Sequence, residues 1–296
     1  EPTQLKPVLG HKGKLAVRCR VEEGTTAETI PSTTATNTYA WLSAFPRMKE
    51  WVGERTIKNL GKQAMSIENK LFESTVSVPR TDIEDDQVGI YRSIMKQAGV
   101  AAAELPDDLV WPLLAKGKAT LCYDGQNFFD TDHVWYENVD GTGTTKNMSN
   151  LTTGTDADAP TWYVIDDTNV LKPLVCQERT KPELETKFDP SKSDKVFLED
   201  VYLYGIRARG NAGFGLWQLA HMVEKTNLTK AALAKVVKEM KELKTDGGYD
   251  LKIRPSLLVV PPALEETARE ILEQTIQDGT TNIWAGRLKL HVEYGL

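Results

Sequence analysis

From Glu1 to about Thr38 the apolar positions keep neither a helical nor a strand period, and the run TTAETIPSTTATNT is polar and Thr-rich. That pattern predicts an extended arm. In YAWLSAFPRMKEWVGER, Trp41, Leu42, Phe45, Met48, Trp51 and Val52 recur at helical spacing, although Pro46 must break the helix or begin a turn. The resulting apolar face needs a partner. Between Thr56 and Pro79 the pattern shifts toward alternation: Met65 and Ile67 precede Asn69-Lys70, and Phe72, Thr75, Val76 and Val78 follow. The expectation is a long β-hairpin with too few apolar residues for a core of its own. A two-stranded hairpin is marginal in water, so it must lie against something else.

Behind it, Ile83, Ile90, Tyr91, Ile94, Met95, Ala98, Ala101, Ala102 and Leu105 form one stripe that continues through Leu109, Leu113 and Leu114 to Lys116-Gly117. Unbroken from Asp82 to Lys116, this helix would span about 52 Å at ~1.5 Å per residue. Pro106 and Pro112 predict a kink or a restart near Leu105. Residues 119–160, rich in Gly, Asp, Asn and Thr, read as irregular surface loops. Strand-like runs return in TWYVIDD, LKPLVCQER and KVFLEDVYLYGIRARG, while FGLWQLAHMV fits a strand or a helix. The last third alternates types. LTKAALAKVVKEMKEL is an amphipathic helix stopped by Asp246-Gly247-Gly248, SLLVV is a buried strand leading into the helix PPALEETAREILEQ, and RLKLHVEY is a final strand. Together they predict a compact α/β subdomain beginning near Lys225.

Composition narrows the functional classes. At 296 residues and 40% hydrophobic, the chain has the material for one large domain or two ordinary ones. Its 42 acidic residues outnumber 36 basic ones, a net charge of -6, which argues against a general grip on phosphates. Cys19, Cys122 and Cys176 are widely spaced without a C-x-x-C pair, the usage of a reducing compartment, and they are expected to pack. No apolar run approaches the roughly 20 residues of a membrane helix, and no signal segment is visible, so a soluble chain is expected.

The densest chemistry is TDIEDDQVGIY, with Asp82, Glu84, Asp85 and Asp86 crowded together. Thr81-Asp82-Ile83-Glu84 fits a capping box, and acids in a first turn favour the positive end of a helix dipole. Adjacent helical acids point in different directions, so a helix start is preferred to a metal site. Asp130-Thr131-Asp132-His133 holds metal-capable side chains, but His11, His221 and His291 are far away and none has H-E-x-x-H spacing. Gly141-Thr142-Gly143-Thr144-Thr145-Lys146 and Gly210-Asn211-Ala212-Gly213-Phe214-Gly215 both fail the phosphate-loop and dinucleotide fingerprints. No serine lies in G-x-S-x-G. Lys12, Lys14, Arg18 and Arg20 on the arm, and Arg55, Lys58, Lys62, Lys70 and Arg80 around the hairpin, read first as solvated charges. Opposite the acidic stretch of a second copy, the hairpin cations could form intersubunit pairs.

FPRMKEWVGERTIKNL, FESTVSVPRTDIEDDQVGIY and CYDGQNFFDTDH, followed in order by QERTKPELE, GFGLWQLA and LLVVPPALEETA, closely resemble the major head subunits of Mu-like bacteriophages over roughly residues 38–296. The resemblance implies an α+β, Hong Kong 97-type capsid fold: an N-terminal arm (1–45), an extended β-hairpin loop (46–80), a peripheral domain with a spine helix (81–225) and an axial domain (226–296). It implies a non-enzymatic major capsid protein, without cofactor or metal, that self-assembles into pentamers and hexamers of an icosahedral shell around double-stranded DNA. A scaffold or protease, portal and decoration proteins would be its partners, with no membrane. Assembly in the host bacterial cytoplasm and residence in the virion follow from the same reading. The residues expected at intersubunit contacts are Trp41, Phe45, Trp51, Arg55, Lys62, Phe72, Asp85 and Asp86. Two alternatives stand beside it: a metal-dependent hydrolase built on Asp82, Asp85, Asp86 and Asp132, and a shell of the same fold that packages protein cargo.

Overall fold

The computed structural model describes residues 26–40, 64–85, 90–138, 141–274, 276–277 and 280–296. Two sheets share one continuous apolar core. The first has the order β1-β9-β10-β4. Its spine is the antiparallel pair β9 (Leu174–Lys187) and β10 (Val201–Phe214), each 14 residues long, against the 5–6 residues usual for a strand. β4 (Lys70–Pro79) runs antiparallel to β10 from Val201↔Pro79 to Gly210↔Lys70, and β1 (Ala27–Pro31) lies parallel to the start of β9. Leu174–Gln177 are buried, the middle of β9 alternates, and Glu183–Lys187 are exposed. The strands therefore leave the core partway along their length.

The hairpin expected around Asn69-Lys70 is not formed. β3 (Ala64–Glu68) pairs antiparallel with β2 (Thr36–Ala40), from Thr36↔Glu68 to Ala40↔Ala64, whereas β4 pairs with β10. Alternation identifies a strand but not its partner, and Asn69, which reads as a turn residue, is buried between two differently paired strands. Residues 41–63, between β2 and β3, lie outside the described residues.

The single helix expected from Asp82 is divided into α1 (Arg80–Glu84) and α2 (Ile90–Ala115). Pro106 and Pro112 sit inside α2, so no restart occurs near Leu105. An interior proline costs a helix about 3 kcal/mol, and here the same turns bury Val110, Trp111 and Leu114 in the core. α2 packs across β9 and β10, and Trp111 stacks on His291 with centroids 4.6 Å apart.

Residues 119–138 and 141–160 also hold more regular structure than composition implies. β5 (His133–Tyr136) and β6 (Thr145–Met148) form an antiparallel pair, while Cys122, Tyr123, Phe128 and Phe129 are buried. Asn150 is fully buried and its Nδ2 donates to the carbonyls of Phe128, Trp217 and Ala220 at 2.7, 3.2 and 3.2 Å, which ties this segment into the core. In KVFLED a helix, α3 (Asp194–Glu199), replaces the expected start of a strand; Asp200 follows at φ 48° and β10 begins at Val201.

The second sheet has the order β17-β14-β8-β11-β7, from β7 (Leu151–Thr153), β8 (Trp162–Ile165), β11 (Ala220–Glu224), β14 (Leu257–Val260) and β17 (Lys289–Val292). FGLWQLAHMV thus yields a strand after one tight turn at Trp217–Leu219. α4 (Lys230–Lys241) begins at Thr229, whose Oγ1 accepts the N–H of Ala232 at 3.1 Å, and buries Leu233, Val236, Val237 and Met240. α5 (Glu265–Leu272) joins the parallel strands β14 and β17. Two short ladders, β12 (Lys244–Thr245) with β13 (Tyr249–Asp250) and β15 (Ile276–Gln277) with β16 (Thr280–Thr281), decorate this half.

Candidate assembly surfaces

The acidic stretch does not assemble a site. Pro79 is the N-cap of α1, Thr81 lies inside the helix, and no side-chain capping bond forms, so the expected box is absent. The cause is local: β4 remains paired through Pro79↔Val201, leaving no free residue between strand and helix. Arg80 anchors the junction instead. Its N–H donates to the Asp200 carbonyl at 3.0 Å, Nη1 lies 3.5 Å from Asp200 Oδ1, and the guanidinium sits 5.2 Å from the Tyr202 ring. Asp82 is in the first turn, and Asp85 is the C-cap, its N–H donating to the Thr81 carbonyl at 2.9 Å. Both are exposed, while Asp86 lies outside the described residues.

Asp130-Thr131-Asp132-His133 likewise fails to converge. Asp132 is exposed, and a hydrogen bond with Asp130 raises its pKa. His133 turns inward, its Nδ1 2.7 Å from Asp124 Oδ2 and its ring stacked on Trp217 at 3.8 Å. Among the described residues no three His, Cys, Asp or Glu side chains come together as a metal-binding group. Cys122 and Cys176 are buried, and burial raises the Cys122 thiol pKa far above its ordinary range.

A buried polar cluster lies where the β2–β3 ribbon meets the first sheet. Gln177 on β9, 1% exposed, accepts from Tyr39 Oη at 2.7 Å and donates to Asn69 Oδ1 at 2.7 Å and the Ile67 carbonyl at 3.2 Å. Asn69 Nδ2 in turn donates to Ser32 Oγ and the Thr34 carbonyl, both at 2.9 Å. On the other side of β3, Asn211 Nδ2 donates to the Glu68 carbonyl at 2.8 Å. Gly213 gives the chain room here: a Cβ at that position would lie 2.3 Å from Ile67 Cδ1. None of these residues carries a motif; only the buried amides reveal the cluster.

At the far end of β9 and β10 the surface is apolar. Phe197 and Leu198 on α3 are 70% and 78% exposed, and Phe188, half in solvent, meets the Tyr202 and Tyr204 rings edge-on at 5.1 and 5.2 Å. Of the expected contact residues, Phe72 is half-buried on β4 and its neighbour Leu71 is the more exposed. Trp41, Phe45, Trp51, Arg55 and Lys62 lie outside the described residues. The doublet Phe197-Leu198 was visible in sequence as an apolar island within KSDKVFLED, but reads there as the start of a strand.

In the second sheet His221 is buried, with Nε2 2.8 Å from Thr152 Oγ1 and 3.8 Å from Glu239 Oε2. Burial, assisted by the nearby positive charge of Lys235, pushes its pKa down to about 4. No helix among the described residues is long and apolar enough to cross a membrane.

A profile of the family described as Mu-like prophage major head subunit gpT matches residues 18–294. The Mu-like prophage FluMu major head subunit of Haemophilus influenzae is 44% identical over 255 residues, covering 85% of this chain and 81% of that protein. The major capsid protein of Escherichia phage Mu is 43% identical over 272 residues, covering 90% and 88%. Among solved structures, the procapsid of bacteriophage JBD30 matches with a TM-score of 0.82 and 47% identity, covering 92% of this chain and 90% of that chain. The JBD30 capsid matches at 0.72 and 34%, covering 98% and 93%.

Proposed function

The chain belongs to the Mu-like prophage major head subunit family, and on that premise we propose how its exposed surfaces join copies into a shell. It is a major capsid protein with the Hong Kong 97-type fold, a structural protein of the virion rather than an enzyme. Copies of it form the icosahedral capsid shell of a Mu-like phage. The hydrolase alternative is not favoured.

The finer reading divides the chain into an arm, an extended loop, a peripheral domain and an axial domain, with β2 and β3 as the root of the loop and with β7, β8 and β11, which share a sheet with β14 and β17, joining the axial body. The observation that carries it is the antiparallel pairing Ala40↔Ala64, which brings together the residues that flank 41–63. Trp41, Phe45, Trp51, Arg55 and Lys62 in that segment would contact neighbouring subunits, and Leu71, Phe72, Phe197 and Leu198 would supply apolar ground for such contacts. Burying large aromatic side chains at a contact stabilises it by about 1.5–3 kcal/mol each. In a closed shell every such patch meets the same complement on every copy. Asp85 and Asp86 would face basic residues of a neighbour's loop, and rings of pentamers and hexamers would form through the axial domains. Double-stranded DNA would be the content, with scaffold or protease, portal and decoration proteins as partners and assembly in the bacterial cytoplasm. An acidic subunit favours enclosing DNA without gripping it.

The test replaces residues 41–63 with Asn-Gly, a two-residue turn suited to the Ala40↔Ala64 register. The subunit is expected to fold, shown by a cooperative unfolding transition, and to form no shells by negative-stain microscopy. Normal shells from this variant would overturn the role given to the loop. Nuclease-protected DNA in particles from infected cells tests the content; particles holding only protein would overturn that part.

A further inference from the structure

We infer that Gln177, with Tyr39 and Asn69, is a positioning device that sets the angle at which the β2–β3 ribbon leaves the subunit, and through it the curvature of the shell. This rests on the reading that the ribbon roots a loop reaching a neighbour. Two properties of the cluster carry it. One amide serves both strands of the ribbon: Gln177 Oε1 takes the Tyr39 hydroxyl from β2, and Nε2 reaches the Ile67 carbonyl of β3 and the Asn69 side chain just beyond it. The bonds are also spread around the root. Asn69 reaches back to Ser32 and Thr34 before β2, its own N–H donates to the Ala35 carbonyl at 2.9 Å, and Asn211 on β10 holds the Glu68 carbonyl.

Pure apolar packing would tolerate small rotations of the ribbon, because dispersion contacts are individually weak and non-directional. A buried amide does not: each bond has a narrow range of distance and angle, and a missed bond leaves a polar group unpaired where water cannot replace it. Ile67, buried and seated where Gly213 has no side chain, fixes the depth of β3, and the amides fix its direction. A fold that needed only to attach the ribbon could have used an apolar residue at position 177. The directional choice constrains orientation, the quantity that decides where a loop lands on the next copy.

Two variants test this. Gln177→Leu removes the three bonds and puts an apolar side chain of similar size in their place, and Tyr39→Phe removes the hydroxyl that donates to Gln177 and accepts from Asn37 Nδ2 at 3.4 Å. Both subunits are expected to fold, shown by near-ultraviolet circular dichroism. Both should still assemble, but into particles whose diameter distribution is shifted or broadened relative to wild type in cryo-electron microscopy, with Gln177→Leu the more severe. A merely structural role would lower subunit stability and particle yield without moving the diameter. Should Gln177→Leu not fold, Tyr39→Phe decides alone. A single population of wild-type diameter from the folded variants overturns the proposal, whereas the reading of the loop falls only if the Asn-Gly replacement of residues 41–63 still makes shells.

Discussion

The two sheets solve opposite problems. In the second sheet β8 and β14 are buried at every position, and α4 and α5 add apolar faces of their own. This half closes on itself. In the first sheet β9 leaves the shared core and β10 returns to it at Phe214, and the far end carries α3, which buries Val196 but leaves Phe197 and Leu198 uncovered. One half is thus an ordinary folded body, and the other is a set of elements extended beyond what the chain can cover. In a capsid subunit that division separates a self-covered body from elements that reach beyond it, and variants in the two halves should fail in different ways.

The sharpest break of the comparison is Trp162→Ala. Trp162 is fully buried and its Nε1 donates to the Thr226 carbonyl at 3.0 Å, so truncation should cost the subunit ~3–5 kcal/mol. Denaturant unfolding of the unassembled subunit should show that loss, with shells failing only because folded protein is scarce. A smaller effect comes from pH. His221 has a folded-state pKa of about 4, below the ordinary 6.5, so the folded protein prefers it neutral. Its contribution is complete above pH 6.5 and drains as pH falls toward 4, a loss of about 2–3 kcal/mol by pH 4.5. Unfolding measured at pH 7 and 4.5 should show this component in the wild type and not in His221→Gln, which also retains a polar group for Thr152. The smallest effect on stability belongs to the outer half: Phe197→Ser with Leu198→Ser should change subunit unfolding by no more than ~0.5 kcal/mol, since both side chains are mostly exposed. Sedimentation should nevertheless find fewer shells. A stability loss as large as that of Trp162→Ala would dissolve the distinction between the halves.

The same division governs what could be read in the sequence. LTKAALAKVVKEMKEL and RLKLHVEY were legible from their local period, and SLLVV from its continuous apolar run, which fits a strand buried on both faces. Strand character was also legible between Met65 and Val78, but pairing was not. β4 finds its partner more than a hundred residues away, at Val201–Gly210, and nothing local distinguishes that from a hairpin at Asn69. Asn69 itself was misleading: the side chain that favours turns is used here for buried hydrogen bonds. Asp82 does lie at a helix start, that of α1, but the end of that helix after Glu84 has no local signal, while the prolines that looked like breakers are carried inside α2. Phe128 and Phe129 were lost among Gly, Asp and Asn because core positions that lie in turns have no period.

The length of β9 and β10 has a mechanical consequence. At ~3.4 Å per residue the ten residues of β9 beyond the buried Leu174–Gln177 make a lever of about 34 Å, so a tilt of one degree where it enters the core moves its far end by ~0.6 Å. Repeated around a closed surface, such displacements would add up to misfit at the seams. Flanking the pair with β4 on one side and α2 across it makes the lever a stiffened beam, and the precision of the finished shell is then limited by how firmly that beam is set in its foundation.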